Sequence, residues 1–184
     1  MEVMKQVMGS LGDTEVRKSR EYFVPGQFWL KINEVKTGRA GVTEFNPDGD
    51  YDYFAVELEI VHSTAPERPA GTFVNWMVSM KHSKMERMYA RDIKNFLMAA
   101  YTARLDGNAP NNSDIDANVF EKTVGEEQPL AGVFIKGVAK TIPTKSGGEF
   151  TTLTWVYWNG EMPNFSTGSL PLESHSSGLE SVPF

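Results

Sequence analysis

Between residues 83 and 105 the chain reads SKMERMYARDIKNFLMAAYTARL, and this stretch most limits what the whole can fold into. Apolar side chains recur at Met85, Met88, Tyr89, Ile93, Phe96, Leu97 and Ala100, the three-and-four spacing that places one buried stripe on a helix. Charged residues fall on the opposite face. Ser83 followed by Glu86 has the form of a capping box, in which hydroxyl and carboxylate satisfy free backbone amides of the first turn. Asp106-Gly107-Asn108 supplies the stop, with Gly107 able to take the left-handed turn that ends many helices. Three strand-like segments precede this helix and two follow it.

The first strand is expected over residues 27–35, where Phe28, Leu30 and Ile32 alternate with Trp29, Lys31 and Asn33. A loop follows from Lys36, with two Gly-bounded turns and an Asn-Pro-Asp-Gly turn at residues 46–49. The second strand, residues 52–61, buries Phe54, Val56, Leu58 and Ile60 and presents Tyr53, Glu57 and Glu59. In the third, residues 72–80, Val74, Trp76 and Val78 oppose Phe73, Asn75, Met77 and Ser79; the face of Asn75 and Ser79 reads as exposed and Trp76 as core. Past the helix, residues 108–128 form a polar, acidic connection with a short ordered piece around Val119 and Phe120. The fourth strand, residues 131–141, sets Val133, Ile135 and Ala139 against an aromatic and basic face of Phe134, Lys136, Val138 and Lys140. Residues 144–148 read as a hairpin tip. The fifth strand, residues 150–158, has apolar residues at both parities, so alternation leaves open whether Trp155 and Tyr157 or Phe150 and Trp158 face outward. One helix between the third and fourth of five strands is the layout of the OB-fold, a mostly β Greek-key barrel that often binds oligonucleotides.

A chain of 184 residues with 40 % hydrophobic and 23 % charged side chains can bury a real core as one domain. The expected division is a polar arm at residues 1–20, the barrel at 21–158, and a flexible tail at 159–184, where 12 of 26 residues are Ser, Gly or Pro. There is no cysteine, which fits a reducing compartment and excludes thiolate metal sites. No apolar run reaches membrane-spanning length and residues 1–13 lack a signal-peptide core, so the expectation is a cytoplasmic protein without membrane partners. A net charge of −6 looks unsuited to nucleic acid, whose phosphates call for Lys and Arg. The tail, however, holds three acidic residues and no Lys or Arg, leaving 18 basic against 21 acidic side chains in the rest.

The strand order together with Glu180-Ser181-Val182-Pro183-Phe184 resembles the single-stranded-DNA-binding proteins of bacteria and bacteriophages. The core lacks the sequence of the tetrameric bacterial members, which favours the phage type. The resemblance implies an OB-fold core, a flexible linker, and a tip of Val182, Pro183 and Phe184 that recruits replication or recombination proteins; it leaves room for a homo-oligomer. Family tips are usually strongly acidic, whereas this one has only Glu173 and Glu180 near its end, which implies a weaker partner attraction. The residues support DNA binding independently. Sequence-tolerant binding needs aromatic faces for bases and nearby Lys or Arg for phosphates. Trp29 beside Lys31, Phe134 beside Lys136 and Lys140, and Lys145 in the hairpin tip offer both. Arg39, Tyr53, Phe73, Phe150 and Trp155 complete the candidate set. Residues 38–41 and 145–148 are the loops expected to flank the groove.

The blander alternative is a noncatalytic phage structural or protein-interaction barrel whose aromatics are core and whose lysines are merely solvated. Catalysis is unsupported, and no cofactor is expected: His62, His82 and His175 are isolated, there is no phosphate-cradling Gly-Lys-Ser/Thr loop, and the acidic residues do not cluster as a nuclease would need. Asp48, Asp50 and Asp52 with Glu59 imitate a calcium loop, but Tyr53 stands where that loop needs glycine.

Overall fold

The computed structural model describes residues 22–44, 47, 49–143, 147 and 149–163. Among these are five strands, β1 Gly26–Ala40, β2 Tyr51–Ser63, β3 Phe73–Met80, β4 Phe134–Pro143 and β5 Glu149–Val156, with helices α1 Glu86–Arg104 and α2 Ala117–Val124 between β3 and β4. All pairings are antiparallel and the sheet order is β3-β2-β1-β4-β5. No ladder joins β3 to β5, so the sheet is not closed.

The core follows from the alternation of the strands. Phe28, Leu30 and Ile32 of β1, Phe54, Val56, Leu58 and Ile60 of β2, Val74 and Val78 of β3, and Ile135 and Ala139 of β4 share one buried cluster with Ile93, Phe96, Leu97 and Ala100 of α1. Strand β1 is longer than its pattern indicates. Register shifts between Trp29 and Leu30 and between Ile32 and Glu34 act as bulges, so odd-numbered Val35 turns to the side of even-numbered Ile32 and is buried. Beyond it Gly38, Arg39 and Ala40, expected in a loop, pair with Tyr53, Asp52 and Tyr51. A glycine signals a turn in sequence, yet here Gly38 is a bare spot in the ladder over which the Tyr53 ring lies: a Cβ on Gly38 would stand 2.6 Å from the ring carbon Cζ.

Helix α1 starts later than its pattern. Residues Ser83–Met85 form a 3-10 turn, and no side chain caps the turn or the helix, so the expected Ser83–Glu86 capping box does not form. The Met85 amide bonds the His82 carbonyl oxygen instead, at 2.9 Å. At the other end the Gly107 amide donates to the Thr102 oxygen at 2.9 Å and the Asp106 amide to the Ala103 oxygen at 3.3 Å, the pair of bonds of a Schellman closure. Its left-handed position is taken by Asp106, φ 53°, with Gly107 following at φ 90°. Helix α2 begins at Asp116, whose carboxylate accepts the Val119 amide at 3.0 Å. Asn159 and Gly160, placed in the tail by composition, lie against the end of α1: at Gly160, φ 79°, a Cβ would meet the Ala103 oxygen at 2.8 Å, and a Cβ on Gly107 would meet the Asn159 Cβ at 3.1 Å.

Candidate nucleic-acid interface

Strands β1 and β4 carry the basic face that alternation predicts. Lys31 stands opposite Phe134 and Trp29 opposite Lys136, while Lys136 and Lys140 stand opposite Val156 and Thr152 of β5. Residues 135 and 139 point into the core, so Lys136 and Lys140 point out. Among the described residues, none of these three lysines makes an ion pair. Parity does not tell which outward side chains are covered. Trp29 is only 8 % exposed: the Lys136 ammonium sits 4.6 Å from its ring centre and His62 meets it edge-on at 5.1 Å. Trp29 therefore offers no open face to a base, contrary to its expected stacking role. An outward ring in the middle of a sheet is overlaid by its cross-strand neighbours.

The β1–β2 side of the same surface is acidic. Lys36 is paired with both Glu34 and Glu57. Its partial burial pulls the ammonium pKa down, but hydrogen bonds and charge from Glu57 and Glu34 outweigh this and leave it above the ordinary lysine value. Arg39 is likewise taken up, by Asp50 at 2.7 Å and Asp52 at 3.4 Å, and its pKa is raised chiefly by the hydrogen bond to Asp50. The calcium-like spacing of Asp50 and Asp52 thus serves an arginine. Among the described residues no three acidic or histidine side chains are grouped to hold a metal. Tyr53 covers Gly38 and Phe73 is exposed opposite Glu59, so both belong to the acidic side.

Phe150 and Trp155 lie at a third place, the open seam between edge strands β3 and β5. The structure resolves the parity of β5. Trp155 turns inward, with ring centres 5.2 Å from both Trp76 and Phe96, and Phe150 is 52 % exposed. Gly137 stands opposite Trp155, and a Cβ there would come within 3.5 Å of the indole and 3.0 Å of Leu153; the bare β4 backbone makes room for the ring. The seam holds a cleft of about 800 Å³ bounded by Asn75 and Met77 of β3, Arg91 and Asn95 of α1, and all of β5 from Phe150 to Trp155, with Tyr157 and Tyr22 at its margins. Tyr22 is fixed there by its carbonyl, which accepts from Arg68 Nε at 2.8 Å. Sequence reading missed this cleft because its walls are some 75 residues apart in the chain. The one local signal was the double-parity apolar pattern of β5.

A second, apolar groove of about 510 Å³ runs between α1 and α2, bounded by Tyr89, Ile93, Leu97, Ile115 and Phe120. Lys145, Val182, Pro183 and Phe184 lie outside the described residues. No described helix is long and apolar enough to cross a membrane. No protein-family model and no curated protein matches the chain.

Proposed function

We propose that the protein binds single-stranded DNA without sequence preference, on an OB-fold core, in the cytoplasm of a bacterial cell during bacteriophage replication, recombination and repair. The observation that carries this reading is the row of Lys31, Lys136 and Lys140, outward on adjacent strands and, among the described residues, in no ion pair. A phosphate backbone needs such unpaired cations, whose binding releases counterions. The sheet order β3-β2-β1-β4-β5 with helices between β3 and β4 supports the fold assignment. In it the seam between β3 and β5 is where a Greek-key barrel would close. The reading assigns no catalysis and no cofactor. Burial of Trp29 favours the alternative of a protein-interaction domain, and one experiment separates the two.

Anisotropy titrations with oligo-dT at several salt concentrations should give an affinity that falls linearly in log–log form. Replacing Lys136 and Lys140 together by Gln should weaken binding and flatten the slope by about 0.7 for each lost single-strand contact, so about 1.4 in all. An unchanged slope refutes the lysine row, and absence of oligo-dT binding refutes the reading altogether in favour of the alternative.

A further inference from the structure

If the lysine row holds phosphates, the bases need a destination, and Trp29 in the middle of the row supplies none: its ring lies beneath the Lys136 ammonium. Edge strand β5 offers one. It lies one strand spacing, about 4.8 Å, from the row, since Lys136 and Lys140 face Val156 and Thr152 directly. On its other side β5 borders the 800 Å³ cleft. A polymer charged along one side and flat and aromatic on the other matches this juxtaposition of cations and cleft across a single strand. The cleft lining matches a base as well. Phe150 and Tyr157 are 52 % and 57 % exposed, and they flank β5 at its two ends. Arg91 is exposed, with one long contact of 3.4 Å to Asp92, and a guanidinium plane also stacks on bases. The Asn95 carboxamide carries both donors and an acceptor for base edges.

We propose that the seam between β3 and β5 is a nucleobase site: bases of a strand anchored on Lys136 and Lys140 turn over β5 to stack on Phe150 and Tyr157. This rests on the DNA-binding reading and goes further by stating where the bases lie. Phe150 and Tyr157 stand seven residues apart, roughly 23 Å along an extended chain, so they serve different bases.

The test compares oligo-dT with an abasic oligomer of equal phosphate number, by anisotropy, on the full chain. Wild type should prefer oligo-dT by about 5- to 150-fold per stacked base. The double variant Phe150→Ala, Tyr157→Ala should lose most of that preference while binding the abasic oligomer as wild type does, with an unchanged salt slope. Phe150→Tyr with Tyr157→Phe should restore the preference. Both rings are exposed, so the variants are expected to fold. Wild type that binds both oligomers equally, or a double variant that keeps the preference, overturns the base site and leaves the DNA-binding reading intact. Wild type that binds neither overturns both.

Discussion

Gln128 completes the sheet with its side chain, and removing that side chain should be costly. Past Lys31, strand β1 runs out of partner on the β4 side. The Ile32 amide still reaches the Val133 oxygen at 2.9 Å and the Gly132 amide reaches the Ile32 oxygen at 2.7 Å, but the chain then turns away. The Gln128 carboxamide substitutes for the missing residue: Oε1 accepts from the Val35 amide at 2.9 Å, and Nε2 donates to the Val35 oxygen at 2.8 Å and the Gly125 oxygen at 2.8 Å. Val35 is fully buried, so Gln128→Leu leaves its amide and carbonyl without these partners. Three ordinary bonds at about 1 kcal/mol each give about 3 kcal/mol of lost stability. For a chain of this size that is a Tm lower by about 6–12 °C. Gln128 also sits at φ 42°, a left-handed conformation that disfavours side chains. Gln128→Gly should therefore lose less than Gln128→Ala, though both lose the carboxamide. Urea denaturation of the three variants reads the stability differences and thermal unfolding the Tm shift. A Gln128→Leu protein within 0.5 kcal/mol of wild type, the range of ordinary surface changes, would show that the carboxamide only fills a place water takes equally well.

Asp106→Gly should stabilise the chain by about 0.5–1 kcal/mol, because the left-handed Schellman position at φ 53° then holds a residue without a Cβ; urea midpoints check it, and a loss would refute the cap assignment. Gly137→Val should cost about 1–3 kcal/mol by overpacking against Leu153 and Trp155, with an altered near-ultraviolet tryptophan signal. Gly137→Ala should cost less, since the atom it meets first is the mobile end of Leu153. Deleting residues 182–184 should leave oligo-dT affinity unchanged or slightly higher while abolishing co-purification with a replication or recombination protein from infected cells; recovery of the same partners by both forms would remove the recruiting role of the tip.

What could be read from the sequence was whatever a single element settles by itself. The alternation of Phe28, Leu30 and Ile32, of Phe54 to Ile60, and of Ile135 against Lys136 is a property of each strand alone, and the buried faces follow it. The α1 stripe held in its second half, at Ile93, Phe96, Leu97 and Ala100, whereas Met85, in the 3-10 turn before the helix, is exposed. What escaped was decided between elements. Gly38 is strand because it pairs with Tyr53 in the β1–β2 ladder; Val35 is core because a bulge shifts parity; Trp29 is covered because Lys136 and His62 are its lateral neighbours. The two candidate rings at the seam, Phe150 and Trp155, were identifiable only as aromatics. Their division into an exposed lip and a half-buried floor depends on β3 lying across from β5, a fact of tertiary arrangement that no local pattern carries.

The arrangement also reconciles a chain of net charge −6 with the phosphate-binding face proposed for it. On the β1–β2 side two cations are consumed by four carboxylates, Lys36 by Glu34 and Glu57 and Arg39 by Asp50 and Asp52, so a phosphate placed there meets net repulsion. Strand β4 is separated from β2 by β1, two strand spacings or about 10 Å, which is close to one Debye length at physiological salt. A phosphate above β4 therefore experiences Lys136 and Lys140 at close range and the β2 carboxylates largely screened. Lys31 differs from the other two lysines. It lies on β1 opposite Glu59, one spacing from the acidic side, so its pull on phosphate is partly cancelled. The attraction is thus graded across the sheet, weakest at Lys31 and strongest at Lys136 and Lys140, which are the pair beside β5 and the open seam. On the proposed reading, a strand drawn to that pair would be held at the lip of the cleft and kept off β2 and β3.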